Sequence, residues 1–490
     1  MLSLIWPVDQ VDEAHTEKGL RSLLMDGLFA QTMGVLIGGA FLVAFALQLG
    51  ASNKVIGLLG AISPLAQLVQ IPATMLIERF PYRKLLVLIT VLIGRGFWLL
   101  IAIIPWITPK PFWIPAFLIS QFIYYGVSAI AGCAWNSWIR DFVPEKVMGG
   151  YFAKRASWAT AIGAGVSVLA AVLVDVFKKG GFPEIAIYSA VLGIGAVFGL
   201  VGTMFLALTP EPRMKPSPKA SIIAILAEPF RDTNFRMLLI FLAWWSFAMN
   251  ISGPFFTVFM LKQLKMSMGW VMGLSVVSQV FNVIFFRIWG RLADRFTNKS
   301  CLMASGTMFV FSLAMWPFMT MPEKTILTIP LLISFHVLAG ISTAGIGLCA
   351  GNLALKAAPF GRATAYLAVN ALVSGGVATI APIISGAVAD WLETQRLKLT
   401  FTWVTGLREF HLPAVDIQGL DFLFIASFLL GLYAMHRLLP VREEGEVEEA
   451  VVREQLLLEV RKTVKHISNV AGIRQITHFP FMVLRYVRHT

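Results

Sequence analysis

The chain has 490 residues and a formal net charge of +13, yet 57% of its residues are apolar, 14% are charged, and the mean hydropathy is +0.75. A soluble domain carries about a quarter charged residues, so a soluble globular protein is excluded. Three cysteines give neither a disulfide framework nor metal-ligand spacing, and lysines and arginines flanking apolar runs account for much of the positive balance without nucleic acid.

In chain order, residues 1–21 carry Asp9, Asp12, Glu13 and Glu17, where a cleavable signal would need a basic start and an apolar core. They read as a cytoplasmic N-terminal segment. Apolar runs of about 20 residues, the length that crosses the hydrocarbon, follow at 22–48, 55–77, 85–107, 112–139, 156–176 and 185–208 (spans 1 to 6). A linker at 209–235, rich first in proline and lysine, leads to 236–261, 270–289, 300–321, 327–355, 363–389 and 421–439 (spans 7 to 12). The runs are rich in Gly, Ala and Ser, which let helices approach closely in lipid, and none has the alternation of a membrane barrel strand. The predicted fold class is all-α: a polytopic membrane protein with twelve transmembrane helices in two six-helix halves, 22–208 and 236–440.

The tail 441–490 begins acidic, at Glu443 to Glu449, and then spaces Leu457, Val460, Val464, Ile467 and Ala471 by threes and fours. That is one helical apolar seam, suited to packing on the protein's own loops, to the bilayer surface or to a protein partner. FPFMVLRYVR at 479–488 mixes aromatic and basic residues as interfacial segments do. If the N-terminus is cytoplasmic, the inner loops hold most of the loop lysines and arginines, which places both termini in the cytoplasm of an inner-membrane protein.

The halves are copies. Cys133–Asn136 (CAWN) returns as Cys349–Asn352 (CAGN), and the same displacement carries Glu78, Arg79 and Phe80 onto Asp294, Arg295 and Phe296, Arg83 onto Lys299, and Arg140 onto Lys356. With a slip of one, Gln48 and Tyr151 fall on Gln263 and Tyr366. The carboxylates of Glu78 and Asp294, at the inner ends of spans 2 and 8, can pair with Arg140 and Lys356 at the ends of spans 4 and 10, or sit at the positive N-terminus of a neighbouring helix. The alternative is plain topology, with solvated pairs worth about 0–1 kcal/mol each.

Residues that the duplication fails to match are the candidates for function. Asp26, Arg95, Trp135, Trp138 and Asp141 have no counterpart of like kind in the second half, and Asn250, Asn282 and His336 have none in the first. Arg95 lies about ten residues into span 3, roughly 15 Å deep, near the middle of a hydrocarbon core about 30 Å thick. Such a charge faces a cavity or a partner, and Asp26 in span 1 is the expected partner. The pair serves either a transport step or structure alone.

The span count, the duplication and the stretch Gly290 to Lys299 (GRLADRFTNK), with a degenerate copy at Thr74 to Arg83, resemble the major facilitator superfamily over roughly residues 22–440. The resemblance implies a secondary transporter rather than an enzyme, with no cofactor, metal or catalytic residue. It also implies a cavity lined by spans 1, 4, 7 and 10 and a cytoplasmic latch between halves built from Glu78, Arg79, Arg83, Arg140, Asp141, Gly290, Asp294, Arg295, Lys299 and Lys356. On that placement Asp26, Arg95, Tyr124, Asn136, Trp244, Asn250, His336 and Asn352 are the candidates for binding substrate or protons. Their aromatic and weakly polar mixture suits a small, amphipathic organic solute, with Asp26 or His336 as the site of proton coupling. A non-transporting scaffold or assembly factor, and a lipid flippase, stay open as alternatives.

Overall fold

The computed structural model describes residues 6–8, 12–80, 82–214, 228–319, 326–359, 363–405, 408–443 and 449–468. Among these, ten helices are long and apolar enough to cross a bilayer. The two expected spans outside that set are interrupted or short. Span 2 is split into Asn53–Gln67 and Gln70–Arg79, because Pro72 has no N–H to return to the carbonyl of Leu68. Span 9 is the 16-residue helix Asn298–Leu313, followed by a single turn at Pro317–Met319. Span 1 breaks at Gly38 between Glu13–Ile37 and Gly39–Gln48.

The structure departs from the sequence expectation at span boundaries, among them the start of span 1, whose helix begins at Glu13 inside the expected N-terminal segment. Span 5 runs from Glu145 to Lys179, two to three turns longer at its start than the apolar run, because polar residues there continue the helix toward water. The stretch 390–420 holds an antiparallel hairpin, Arg396–Thr405 with Arg408–Gln418, an exception to the all-α reading. Its first strand alternates Leu397, Leu399 and Phe401 with Arg396, Lys398 and Thr400, the period of a strand, and Arg396 Nε donates to Asp416 at 2.7 Å. The tail forms helix Glu449–Ser468. It seats Val452 and Leu456, with Val460 beside them, against the second half and leaves Leu457 exposed. Of the expected seam, Val460 lies on the buried side and Leu457 does not; the side chains of Val464 and Ile467, and Ala471 and 479–488, lie outside the described residues.

Buried apolar side chains form three clusters. One, containing Phe41, Trp98 and Phe117 together with Phe255, Trp316 and Phe424, is shared by both halves near the face that carries the hairpin. The other two lie toward the face that carries the N-terminus, linker and tail. One belongs wholly to the first half, around Trp138 and Phe142, and the other to the second, around Phe235 and Trp289. The halves are thus joined at the hairpin face and packed separately toward the terminal face.

Carboxylates placed on helix N-termini define both faces. At the hairpin face the donors and acceptors come from opposite halves. Asp390 of span 11 accepts from the backbone N–H groups of Asn53 (2.8 Å) and Lys54 (3.1 Å), which open span 2. Asp175 of span 5 accepts from those of Met268 (3.0 Å) and Gly269 (2.8 Å), which open span 8. These are equivalent interactions, since the displacement that takes Gln48 to Gln263 also takes Asp175 to Asp390 and Asn53 to Met268. Beside Asp390 the helices touch backbone to backbone, and a side chain at Gly57 would collide with the carbonyl of Pro382 and with Gly386.

At the terminal face the equivalent caps stay within a half. Glu211, just after span 6, accepts from the N–H of Arg83 at 2.9 Å where span 3 begins. Glu443, just after span 12, accepts from the N–H of Lys299 at 2.7 Å and from the side chains of Asn298 (3.1 Å) and Lys356 (3.2 Å) where span 9 begins. Burial alone would raise Glu443, but these donors outweigh it and hold its carboxyl below the usual glutamate value.

Two outcomes follow from these caps. A cap at a helix N-terminus contributes about 1 kcal/mol, so Asp175→Ala with Asp390→Ala should shift the balance toward a state open at the hairpin face by roughly thirty-fold. Distances between spin labels at Lys110 and Lys398 should lengthen accordingly, and an unchanged distribution would refute a cross-half role for the caps. For Glu443, whose pKa is depressed in the folded state, the stabilisation is complete above the ordinary value of 4.5 and is lost as pH falls below it. The melting-temperature gap between wild type and Glu443→Gln should therefore be widest at neutral pH and close on acidification below that value.

Candidate functional site

Span 1 sits inside the first half, packed along span 6 on one side and span 5 on another. From it Asp26 points inward, 4% exposed, to meet Arg95 at the centre of span 3, Arg83–Ile107. Arg95 Nη2 donates to Asp26 Oδ1 at 3.3 Å, while Nη1 donates to the carbonyl of Gly199 at 2.5 Å and to the Thr203 hydroxyl at 2.8 Å on span 6, Glu184–Ala207. The expected pair is formed, and three spans share it. The duplicate copy has Leu242 and Phe311 at these places.

A second cation stands beside the pair. Span 5 is fixed to span 1 by the Tyr151 hydroxyl, which donates to the carbonyl of Leu20 at 2.8 Å. One turn on, Arg155 lies over the ring of Trp135 from span 4, Trp113–Phe142, 5.2 Å from its centroid, and close enough to Asp26 to act on its charge. Its guanidinium occupies the space a side chain at Gly27 would fill. Among the described residues Arg155 makes no hydrogen bond or ion pair, and its Nε is buried without a partner. Stacking on tryptophan contributes about 0.5–2 kcal/mol and leaves the hydrogen-bonding capacity of the guanidinium unused.

Asp26, Arg95, Tyr124, Ser128, Trp135 and Arg155 supply the polar and aromatic lining of a cavity of about 340 Å³, whose other walls are small or apolar side chains. That volume suits a small organic molecule. A larger cavity of about 410 Å³, between spans 5 and 6, is lined by apolar side chains and Thr32 alone. It opens among exposed Leu169, Leu173 and Ile194 on the lipid-facing surface and holds none of this chemistry.

The remaining candidates are dispersed. Tyr124 lines the cavity, edge-on to Trp98 at 5.3 Å. Asn136 on span 4 and Asn352 on span 10 lie outside the cavity lining. Trp244 packs edge-on against Tyr433 of span 12 at 4.9 Å, Asn250 turns back to the carbonyl of Ser246 at 2.8 Å, and buried His336 sits with Nδ1 2.8 Å from the carbonyl of Leu332 one turn earlier. Each of these contacts ties a helix to itself or to its neighbour. Among the described residues, no group of three or more His, Cys, Asp or Glu is placed to hold a metal ion.

The latch residues gather at the terminal face in pairings other than those the spacing suggested. Arg83 is wholly buried, paired with Asp141 at 2.5 Å and Glu211 at 3.3 Å, and it also donates to the carbonyls of Ser137 and Pro212. Lys356 pairs with Glu443 at 3.2 Å, and Lys299 Nζ donates to the carbonyl of Leu439 at 3.0 Å. Arg295 lies over Phe296 and reaches Gln455 of the tail at 3.5 Å, and Gly290 borders Leu348. Asp294, Arg140 and Arg79 are exposed, and the side chain of Glu78 lies outside the described residues.

Arg155 was missed because it falls in the polar stretch before the fifth apolar run, where it reads as one more inner-loop cation. The duplication could have revealed it, since the displacement that takes Tyr151 to Tyr366 takes Arg155 to Asn370.

Two helical halves, a charged cavity buried in one of them, and packing that joins them at a single face define a membrane protein built for moving solutes between two sides. The chain belongs to the Major Facilitator Superfamily, whose profile matches residues 26–382. No curated protein sequence matches the chain. Similar solved structures include a point mutant of the nucleoside transporter NupG (14% identity, TM-score 0.67, covering 87% of this chain and 100% of that one). A bacterial homolog of the human lysosomal transporter Spinster, inward-facing and unoccupied, gives 14% identity and a TM-score of 0.59 over 87% of this chain and 97% of that one. A D-xylose–proton symporter gives 15% and 0.57 over 89% and 99%. At these identities the likeness is one of fold.

Removing one member of a buried ion pair strands the other charge, at a cost of about 3–5 kcal/mol. Asp26→Leu and Arg95→Met should each lower the thermal stability of the detergent-solubilised protein, and the double variant should be less destabilised than the sum of the two. Additive losses would mean that the two side chains do not stabilise one another.

Proposed function

We propose that this secondary transporter moves a small organic solute across the inner membrane by alternating access, with Asp26 carrying a coupled proton. The observation that carries the reading is the division of the buried core. A shared cluster closes the hairpin face and two separate clusters leave the halves parted toward the terminal face, which supports approach to the charged cavity from that side. The excess of lysine and arginine in the loops of the terminal face supports reading it as the cytoplasmic one, and on that reading the state is inward-facing. In the opposite state the rocking halves would meet at the terminal face. There Asp294, exposed and without a partner among the described residues, is free to bridge between halves, which is the latch role assigned to it and to Glu78. The tail, seated on the second half, is the surface for a protein partner.

Asp26 is the acid of the cavity, and its contact with Arg95 at 3.3 Å is long for a charge-assisted hydrogen bond. An acid held this loosely can exchange its proton as access alternates. In proteoliposomes with an imposed pH gradient, Asp26→Asn should abolish accumulation of substrate while leaving substrate exchange intact, because exchange moves no net proton. Concentrative uptake by the Asp26→Asn protein would refute the coupling role.

A further inference from the structure

Arg95 and Arg155 face the same cavity, yet their surroundings differ. Arg95 has a carboxylate, a carbonyl and a hydroxyl within hydrogen-bond distance. Arg155 has an aromatic face beneath it and a buried Nε with no acceptor. Asp26 is the single carboxylate among the lining residues, and it is engaged by Arg95, so the cavity holds one acid against two guanidinium groups. A neutral or cationic solute would leave that imbalance in place.

We infer that the solute is a small organic anion, a carboxylate or phosphate monoester, whose anionic group pairs with Arg155. This rests on the transporter reading above and names the substrate class of the same cavity. A guanidinium presents parallel N–H donors that match the two oxygens of such a group, and the stack on Trp135 fixes its plane before the ligand arrives, so little is lost in orienting it. Gly27, having no side chain, leaves the room along span 1 that the guanidinium fills beside that ring. The walls beyond, formed by Val87, Val91, Ala131 and Leu206, are apolar and suit the hydrocarbon part of the molecule. About 340 Å³ limits that part to roughly the size of one ring or a short chain. Asp26 then has a second use. In its charged form it repels the anion, and once protonated it stops doing so, which ties binding of the anion to uptake of a proton.

The test uses the purified full-length protein and a fixed panel: benzoate, phenyl phosphate, hexanoate and succinate, matched with benzamide, hexanol and benzylamine. Binding is read by the shift in melting temperature and by quenching of tryptophan fluorescence. The anions should bind and the matched neutral and cationic compounds should not. Arg155→Gln should weaken anion binding at least ten-fold, Arg155→Lys should retain part of it, and Asp26→Asn should strengthen it and flatten its dependence on pH. Failure of every anion to bind overturns the proposal, as does equal anion binding by wild type and Arg155→Gln. Uptake of the same panel into proteoliposomes is measured separately. A neutral or cationic compound that is transported refutes the anion assignment and leaves the transporter reading intact. Binding that depends on Arg155 with no transport of any bound compound refutes the transporter reading and leaves the assignment standing.

Discussion

The fold depends on how the first N–H groups of its helices are satisfied. The opening turn of a helix has donors with no partner inside the helix, and at a membrane boundary water is not assured. Four carboxylates meet this need at the starts of spans 2, 3, 8 and 9. Two of them come from the same half as the helix they cap and two from the opposite half. The first kind builds each half as a unit that stays intact whichever way the cavity opens. The second kind acts only when the hairpin face is shut, and one of the two, Asp390, sits beside the close backbone approach of spans 2 and 11. One chemical device thus serves both permanent assembly and a contact that must be broken.

The two halves use this device in parallel, but the charges of the cavity belong to one half alone. Duplication gave both halves the same architecture, and divergence then left Leu242 and Phe311 where the first half has Asp26 and Arg95. The second half presents no matching ion pair at those places, and its candidates Asn250 and His336 satisfy themselves within their own helices. The charged chemistry of the cavity resides in the first half, which supplies all of its lining residues.

Much of this was legible in the sequence. The spans were legible because the bilayer demands long apolar runs, and the Asp26–Arg95 pair because a deep charge must find a partner and the copy of the repeat lacked both. What was not legible follows from contacts between distant residues. Asp175 and Asp390 read as the polar ends of two runs, and their role lies in backbone N–H groups about a hundred or more positions away, which no side-chain pattern encodes. Arg155 was hidden by a boundary, because a helix continues past its apolar stretch when its polar residues face a cavity. Pairings at the terminal face were misjudged for a similar reason. Arg83 and Lys356 turn to Glu211 and Glu443, acids beyond the ends of spans 6 and 12, in segments that the repeat comparison did not cover.

The tail helix Glu449–Ser468 is fastened to spans 8 and 9 through Val452 and Leu456, with Arg291 paired to Glu459 at 3.5 Å. Its described anchoring contacts are all with the second half, so it rides as a passenger on one of two moving bodies. A molecule held on the tail would be carried with that half as the two bodies move, without any contact with the cavity.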